Sequence, residues 1–539
     1  MANTFKKVID RMMWAQVAPS NGYGSHAAGT SMASDLRNDS TRNPFIYFAF
    51  SNTVLSRYNI ITKAWQSAGN PSYSALAASA TSCFVPSFSL VGTIAAGATT
   101  TRVTLSTALP TAPGLNMLAN RGGSGELGYR LRIIDTTAGK TEERWIVGNT
   151  ASTTPVIDVD AAFTFTPATG ARYEILSGRY IHLSSGAPAA ASWRSFEVAT
   201  NTFANLGTTN LPTIATDSAL LVMDEQYVPY DHKPGEGMVK GATVYDASPA
   251  GQGLVALLAT ASAASTITGQ ATGGDAVIAA NEYRNFQIRI VADPTTPASV
   301  GQRRIIASHT AGPSAVYTLG AAWTTQPSSS ARFVIEQPNQ IVLRTAGNST
   351  TYTYNYSDAT QNNGTNSIAA NAWSTTYFGA APAPNGFGCL WAPSFGIQPD
   401  VGRNARHSFN YFFRGASSTL DLLDIAAGTT GAWTGAITYD GNTTATGAGT
   451  TGCYAPFGEE GRYTYLNIYA ASFISQIYRF DAKNRVMSPY VSTDFLQAGT
   501  AALGSRMAAY CAIDGTDKYA CVLMQSHLST ICQELIPLV

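Results

Sequence analysis

Phe45-Ile46-Tyr47-Phe48-Ala49-Phe50, Leu55-Ser56-Arg57-Tyr58-Asn59 and Thr62-Lys63-Ala64-Trp65 follow one another closely. Aromatic and β-branched residues fill each run, and short polar stretches separate them, which reads as successive antiparallel strands. The text recurs. Arg179-Tyr180-Ile181-His182-Leu183 precedes Trp193-Arg194-Ser195-Phe196-Glu197-Val198 and Thr202-Phe203. Arg462-Tyr463-Thr464-Tyr465-Leu466 precedes Gln476-Ile477-Tyr478-Arg479-Phe480-Asp481 and Asn484-Arg485-Val486. Ser408 to Phe413, Leu420 to Ile425 and Trp433 follow the pattern more loosely. A unit that repeats in this way cannot bury its faces alone and needs neighbours of its own kind.

A short apolar strand stands before each unit: Met13–Val17, Cys83–Phe88, Ala219–Met223, Cys389–Phe395, Cys453–Pro456 and Ala508–Ile513. Small and apolar residues suit the crowded innermost position of a radial array, so six such strands predict an all-β, six-bladed β-propeller. The units resemble Kelch-type propeller blades, without the glycine doublet usual there. After Ile513, Lys518–Met524 and Thr530–Leu535 bring the last blade to three strands. Asn3-Thr4-Phe5-Lys6-Lys7-Val8-Ile9 is similar to the outer-strand text Asn201–Leu206. Residues 3 to 9 are therefore expected to supply the fourth strand and close the ring.

Two blades carry long insertions that match each other. Tyr129–Ile134, Arg144–Thr150, Ala162-Phe163-Thr164, Pro167 and Tyr173-Glu174-Ile175 correspond to Phe286–Val291, Arg304–Thr310, Ala322-Trp323-Thr324, Pro327 and Phe333-Val334-Ile335. Alternation such as Arg130-Leu131-Arg132-Ile133 says half-buried antiparallel strands, so each insert is expected to be a small β-barrel or sandwich. The division expected is residues 1–90 for blade one and the start of blade two, 91–177 for module A, 178–250 for propeller, 251–337 for module B and 338–539 for propeller. The insert text resembles a module common in tailed-bacteriophage structural proteins. Phe163 stands where tryptophan is usual, His309 where asparagine is usual, and the arginine pair Arg303-Arg304 is shifted. The resemblance implies a virion protein made in the host bacterial cytoplasm, such as a tail, nozzle, neck or baseplate-associated subunit or a fibre adaptor. Its implied partners are other virion proteins and further copies of itself. Propellers with inserted β-domains are also similar to the tail-nozzle proteins of short-tailed phages.

Composition narrows the alternatives. The 539 residues exceed one ordinary core. Only 12% are charged, and 33 Lys+Arg balance 33 Asp+Glu, which gives no electrostatic footprint for nucleic acid or an anionic membrane. No apolar run is long enough to span a bilayer, and the first residues lack the apolar core of a signal peptide. The six cysteines form no Cys-x-x-Cys pair and read as buried free thiols.

Chemistry is sparse. His26, His182, His232, His309, His407 and His527 have no metal-ligating spacing. Tyr230-Asp231-His232-Lys233 could seat an acid/base pair but reads as a solvated loop. Gly122–Gly125 and Gly235–Gly237 read as loops too. Asp158-Val159-Asp160 and Asp514–Asp517 lack the spacing of a calcium loop and read as turns. Tyr352, Tyr354 and Tyr356 fit strand packing better than a sugar platform. The expectation is no catalytic, cofactor-binding or metal-binding residue, no cofactor and no enzyme. The alternatives are an appendage that binds a host surface glycan or other receptor, and a propeller glycosidase or lyase.

Overall fold

The computed structural model describes residues 12–17, 31–34, 45–49, 55–69, 81–85, 89–119, 129–176, 180–184, 193–197, 202–207, 209–211, 218–225, 255–271, 279–345, 347–382, 386–393, 397–398, 403–404, 409–415, 417–427, 432–438, 440–441, 450–455, 463–469, 475–482, 484–491, 506–514, 517–525 and 532–537. Among these residues the chain is all-β. It has no α-helix, and no helix long and apolar enough to cross a membrane.

The opening text of the sequence forms a sheet by simple means. Phe45–Ala49 and Leu55–Asn59 pair antiparallel with Ile46 opposite Tyr58, and Ala64–Gly69 adds beside them with Trp65 opposite Tyr58. Asn59 Oδ1 accepts the backbone N–H groups of Ile61 and Thr62, and Lys63 takes a positive φ of 55°, so the turn is closed by a side chain. Trp65 packs edge-on against Phe48, 4.7 Å between ring centres. Ser31–Ala33 completes a four-stranded sheet on the far side.

The other units are built in the same way. Thr81–Phe84, Tyr180–Ser184, Trp193–Glu197 and Thr202–Asn205 form the second sheet. Ala219–Met223, Gln340–Arg344, Thr351–Asn355 and Ala372–Ser374 form the third, and Gly386–Pro393, Phe409–Gly415, Thr419–Asp424 and Trp433–Thr438 the fourth. In the fifth, Asp440–Gly441 runs parallel beside Val486–Val491, followed by Ser475–Asp481, Tyr463–Tyr469 and Thr451–Ala455. The sixth holds Arg506–Asp514, Asp517–Gln525, Cys532–Pro537 and Met12–Val17. The leading strands touch in sequence: Arg506–Asp514 beside Ser31–Ala33, then Thr81–Phe84, Ala219–Met223, Gly386–Pro393, Thr451–Ala455 and back to Arg506–Asp514. The arrangement is propeller-like.

One expected inner strand is corrected. Met12–Val17 does not lead the first sheet. It pairs antiparallel with Cys532–Pro537, Trp14 opposite Leu535, as the outermost strand of the sixth. The leading strand of the first sheet is Ser31–Ala33. Apolar text marks a strand and does not tell the one that leads a sheet from the one that ends it. Residues 3 to 9, expected to make that closure, lie outside the described residues.

Between the first and second strands of sheets two and three lie two six-stranded units with the same pairing order. In the later one, Val255–Ala263, Arg332–Glu336, Gln287–Ala292, Arg303–His309, Val316–Leu319 and Thr266–Ala271 pair in a closed cycle, a six-stranded barrel. In the earlier one, Ser89–Thr93, Arg172–Leu176, Arg130–Asp135, Lys140–Asn149, Val156–Val159 and Arg102–Thr104 repeat that order, and an Ile94–Leu105 bridge spans the remaining gap. Strand period sorts the residues. Leu131, Ile133, Tyr173 and Ile175 enter the interior of the first barrel, and Ile288, Ile290, Phe333 and Ile335 that of the second. Lys140 pairs with Ala292, so the two barrels share one continuous sheet.

Candidate functional site between the two inserted barrels

The strand faces turned away from the barrel interiors carry Arg130, Arg132, Glu143 and Glu174 in the first barrel, and Gln287, Arg289, Arg303 and Glu336 in the second. In the first barrel Arg132 lies opposite Glu143 on one neighbouring strand and opposite Glu174 on the other. Arg289, its counterpart, lies opposite Arg303 and Val334. The second barrel therefore has an arginine and an apolar residue where the first has two carboxylates. The two charge patterns are complementary, and the barrels meet on them.

Arg132 is fully buried. It donates from Nε to Glu143 Oε1 at 2.6 Å, and from Nη1 to Glu174 Oε2 and Glu225 Oε1 at 2.7 Å each. Arg130 pairs with the other Glu143 oxygen at 3.0 Å. From the second barrel, Arg303 grips Glu174 with both terminal nitrogens at 2.9 Å, a two-point fork of the kind guanidinium and carboxylate form best. Arg289 holds Glu336 side-on, from Nε and Nη2 at 3.1 Å each, and Gln287 donates to Glu336 at 2.8 Å. Arg172 links Glu174 at 3.2 Å to Asp358 on a loop of the third sheet. Five arginines (130, 132, 172, 289, 303) thus face five carboxylates (Glu143, Glu174, Glu225, Glu336, Asp358).

Protonation follows from these neighbours. Burial alone would raise the Glu174 pKa, but Arg303 and Arg132, with Arg172 behind them, hold it well below the usual carboxylate range. Burial likewise opposes ionisation of Glu225, and Arg132, Arg303 and Arg289 outweigh it and push the group down to about 2. Glu336 goes the other way: burial raises it, Arg289 resists, and the Glu225 charge adds to the rise.

Beside the cluster opens a cavity of about 430 Å³, in the size range of a small-molecule site. Its walls come from both barrels and from residues 357–362 of the third sheet. Arg172, Arg303 and Arg304 line it, and Asp358 is the one carboxylate among its described lining residues.

The residues singled out in the sequence lie elsewhere. His309 is buried. Its Nε2 accepts the Tyr283 N–H at 2.9 Å while Nδ1 lies 2.9 Å from the Thr310 carbonyl, which fixes Nδ1 as the protonated nitrogen. Asn149 does the same work in the first barrel, accepting from Leu118 N–H and donating to the Thr150 carbonyl. Asp158 pairs with Arg102, and Asp160 accepts the Trp145 N–H. Asp514 and Asp517 are register partners where Arg506–Asp514 and Asp517–Gln525 pair. Tyr354 is enclosed by Trp193 and Trp373, and Tyr356 bonds the Met223 carbonyl and Asp224, so neither forms a platform. His182 sits mid-strand between Cys83 and Ser195. His26, His232, His407, His527, Tyr230–Lys233, Gly122–Gly125 and Gly235–Gly237 lie outside the described residues. Among the described residues no three His, Cys, Asp or Glu side chains gather as metal ligands.

The sequence reading missed the ion cluster. Its signal was the matched register of Arg132, Glu143 and Glu174 against Arg289, Arg303 and Val334 within the repeated inserts, with arginine rather than lysine at every basic position.

No protein-family model matches the chain, and no curated protein does. Solved structures similar to it include Sqt1 of Saccharomyces cerevisiae, 8% identical over 98% of this chain and 99% of that one, with a TM-score of 0.31. The phage phi92 endosialidase is 8% identical over 99% and 70%, TM-score 0.27. A K499G mutant of the NanB sialidase of Streptococcus pneumoniae is 8% identical over 94% and 82%, TM-score 0.25. Likenesses this remote carry no argument about activity.

Proposed function

We propose that the chain is a structural subunit of a tailed-phage particle, a six-bladed propeller bearing two inserted barrel modules, which acts through protein–protein contacts. The observation that carries this reading is the junction of the modules. Two copies of one barrel are joined edge to edge in a single sheet and locked by ten charges, nine of them buried or half-buried. That is the construction of a part that transmits load or sets geometry. The cycle of leading strands supports the six-blade count, as does the sixth sheet completed by residues 12–17. The low charge of the chain, 12%, suits a surface covered by neighbours.

The proposal contains no catalytic step. Glycoside hydrolysis needs two carboxylates flanking the bond that breaks. The cleft offers Asp358, held by Arg172, and the other acids of the junction are buried in ion pairs. A second reading, an appendage that binds a host surface glycan, draws on the cleft itself. Quantitative mass spectrometry of purified particles, with cross-linking to place the neighbours, tests the first reading. A fixed number of copies per particle is the expected result, and absence from purified particles would sink it.

A further inference from the structure

The two barrels differ at one charge beside the cleft. In the first, Arg144 donates to Glu142 at 2.7 Å and to the Glu143 and Ala162 carbonyls. Glu142 also accepts the Thr164 N–H at 2.9 Å. In the second, Arg304 donates to the matching Arg303 and Ala322 carbonyls, and the residue that accepts the Thr324 N–H is Gln302. The copy keeps the two carbonyl contacts and the accepted threonine N–H but not the counter-charge. Arg304 is left with neutral partners only: those two carbonyls, the Gln302 amide at 3.4 Å, the Thr324 hydroxyl at 3.0 Å and the face of Trp323. Arg144 does not line the cleft, whereas Arg304 does.

Behind the cavity wall two buried donors lack acceptors. Gln361 is 5% exposed. Its Oε1 accepts from Gln340 at 2.6 Å, and its Nε2 has no partner. Arg303 Nε is buried and also unbonded, 3.9 Å from Glu336. Of the groups that line the pocket, Arg304 is the cation held by neutral partners alone, so the pocket offers a place for an acceptor with negative charge. Ser357, Thr360 and Asn362 add hydroxyl and amide groups along one wall, and Ile134, Val300 and Ile305 supply an apolar floor.

We propose that this cleft binds a carboxylated sugar residue, its carboxylate directed at Arg304 and its hydroxyls at the polar wall. The cavity size suits one or two sugar rings, and the arrangement of an apolar surface with a few convergent polar groups is that of a ligand site. The proposal is independent of where on a particle the chain resides.

The test is calorimetric titration of the full-length protein with glucuronate, glucose and acetate at low salt. Saturable binding of glucuronate is expected at a Kd of about 1 mM or tighter, with no saturable heat from glucose and at least tenfold weaker binding of acetate. Arg304→Gln should weaken glucuronate at least tenfold. Gln302→Glu, which restores the counter-charge found in the first barrel, should do the same by a different route, so that loss of folding in one variant leaves the other to decide. Absence of saturable glucuronate binding overturns the proposal. So does glucose binding as well as glucuronate, acetate binding as tightly as glucuronate, or glucuronate affinity within twofold of wild type in a folded variant.

Discussion

Replacing Glu174 by Gln tests whether the ion cluster holds the two barrels together. The carboxylate takes N–H groups from three arginines on two modules: Arg132 at 2.7 Å, Arg303 twice at 2.9 Å and Arg172 at 3.2 and 3.3 Å. The amide keeps the shape, removes one negative charge, and turns an acceptor oxygen into a donor that faces guanidinium groups. Removing one partner of a buried ion pair costs about 3–5 kcal/mol, because the opposite charge stays buried without compensation. Arg132 retains Glu143 and Glu225, and Arg303 retains only Glu225 at 3.5 Å and Glu336 at 3.9 Å. The expected loss is therefore at the lower end, about 3 kcal/mol. For a cooperative unit of roughly 150–250 residues this lowers the midpoint by about 6–12 °C. Differential scanning calorimetry of the whole chain at pH 7 reads it directly. The acid side gives a second readout. The folded Glu174 and Glu225 carboxyls are depressed, Glu225 to about 2, below an unfolded value of about 4.3. Their stabilisation is full above that unfolded value and is lost as pH falls towards the folded ones. Glu336, raised, contributes with the opposite sign. E174Q should show a shallower loss of stability between about pH 4 and pH 2 than wild type. A midpoint within about 2 °C of wild type at pH 7, with an unchanged acid slope, would refute the reasoning that these charges lock the junction.

Three further outcomes are expected. His309→Asn should melt close to wild type, because asparagine performs the same two hydrogen bonds at position 149. His309→Leu should lose about 1–3 kcal/mol by leaving the Tyr283 N–H unmet, and equal melting of the two variants would remove the argument. Gly301→Ala should lower the midpoint by several degrees, since Gly301 has φ +82° and a Cβ there would stand 2.4 Å from Cγ2 of Ile134 in the other barrel; the pair G301A with Ile134→Ala, which removes that Cγ2, should lose less than the sum of the two single variants. Deleting residues 1–17 should bare the edge of Cys532–Pro537 and drive self-association visible by light scattering, whereas a monodisperse truncated chain would show that this edge is covered by other means.

The repeated strands were legible because each carries its own local signals. Phe45–Ala49 with Tyr58 and Trp65, or Leu131 alternating with Arg132, state period and partner within a few residues. Ring position was less legible. Met13-Trp14-Ala15-Gln16-Val17 is as apolar as a true leading strand, and Ser31-Met32-Ala33 is too short to stand out. The junction was illegible for a different reason. Arg130, Arg132 and Glu143 sit at the polar positions of an alternating strand, and alternation predicts water there. Only the second barrel, more than a hundred residues further on, turns that face into an interior. The cleft follows the same rule, since Arg172, Arg304 and Gln361 come from three units that only the fold brings together.

The outermost strand of the sixth sheet has a kinetic consequence. Met12–Val17 pairs with Cys532–Pro537, so its partner is made more than five hundred residues later. At a synthesis rate of about 5–20 residues per second, the early strand waits roughly half a minute to nearly two minutes on the ribosome with its hydrogen-bonding edge unspent. During that wait each preceding sheet can form from local pairings, and the ring stays an open arc. Closure is then a single late event, and the speed at which the last strands emerge decides whether the arc shuts on itself or on a neighbouring chain.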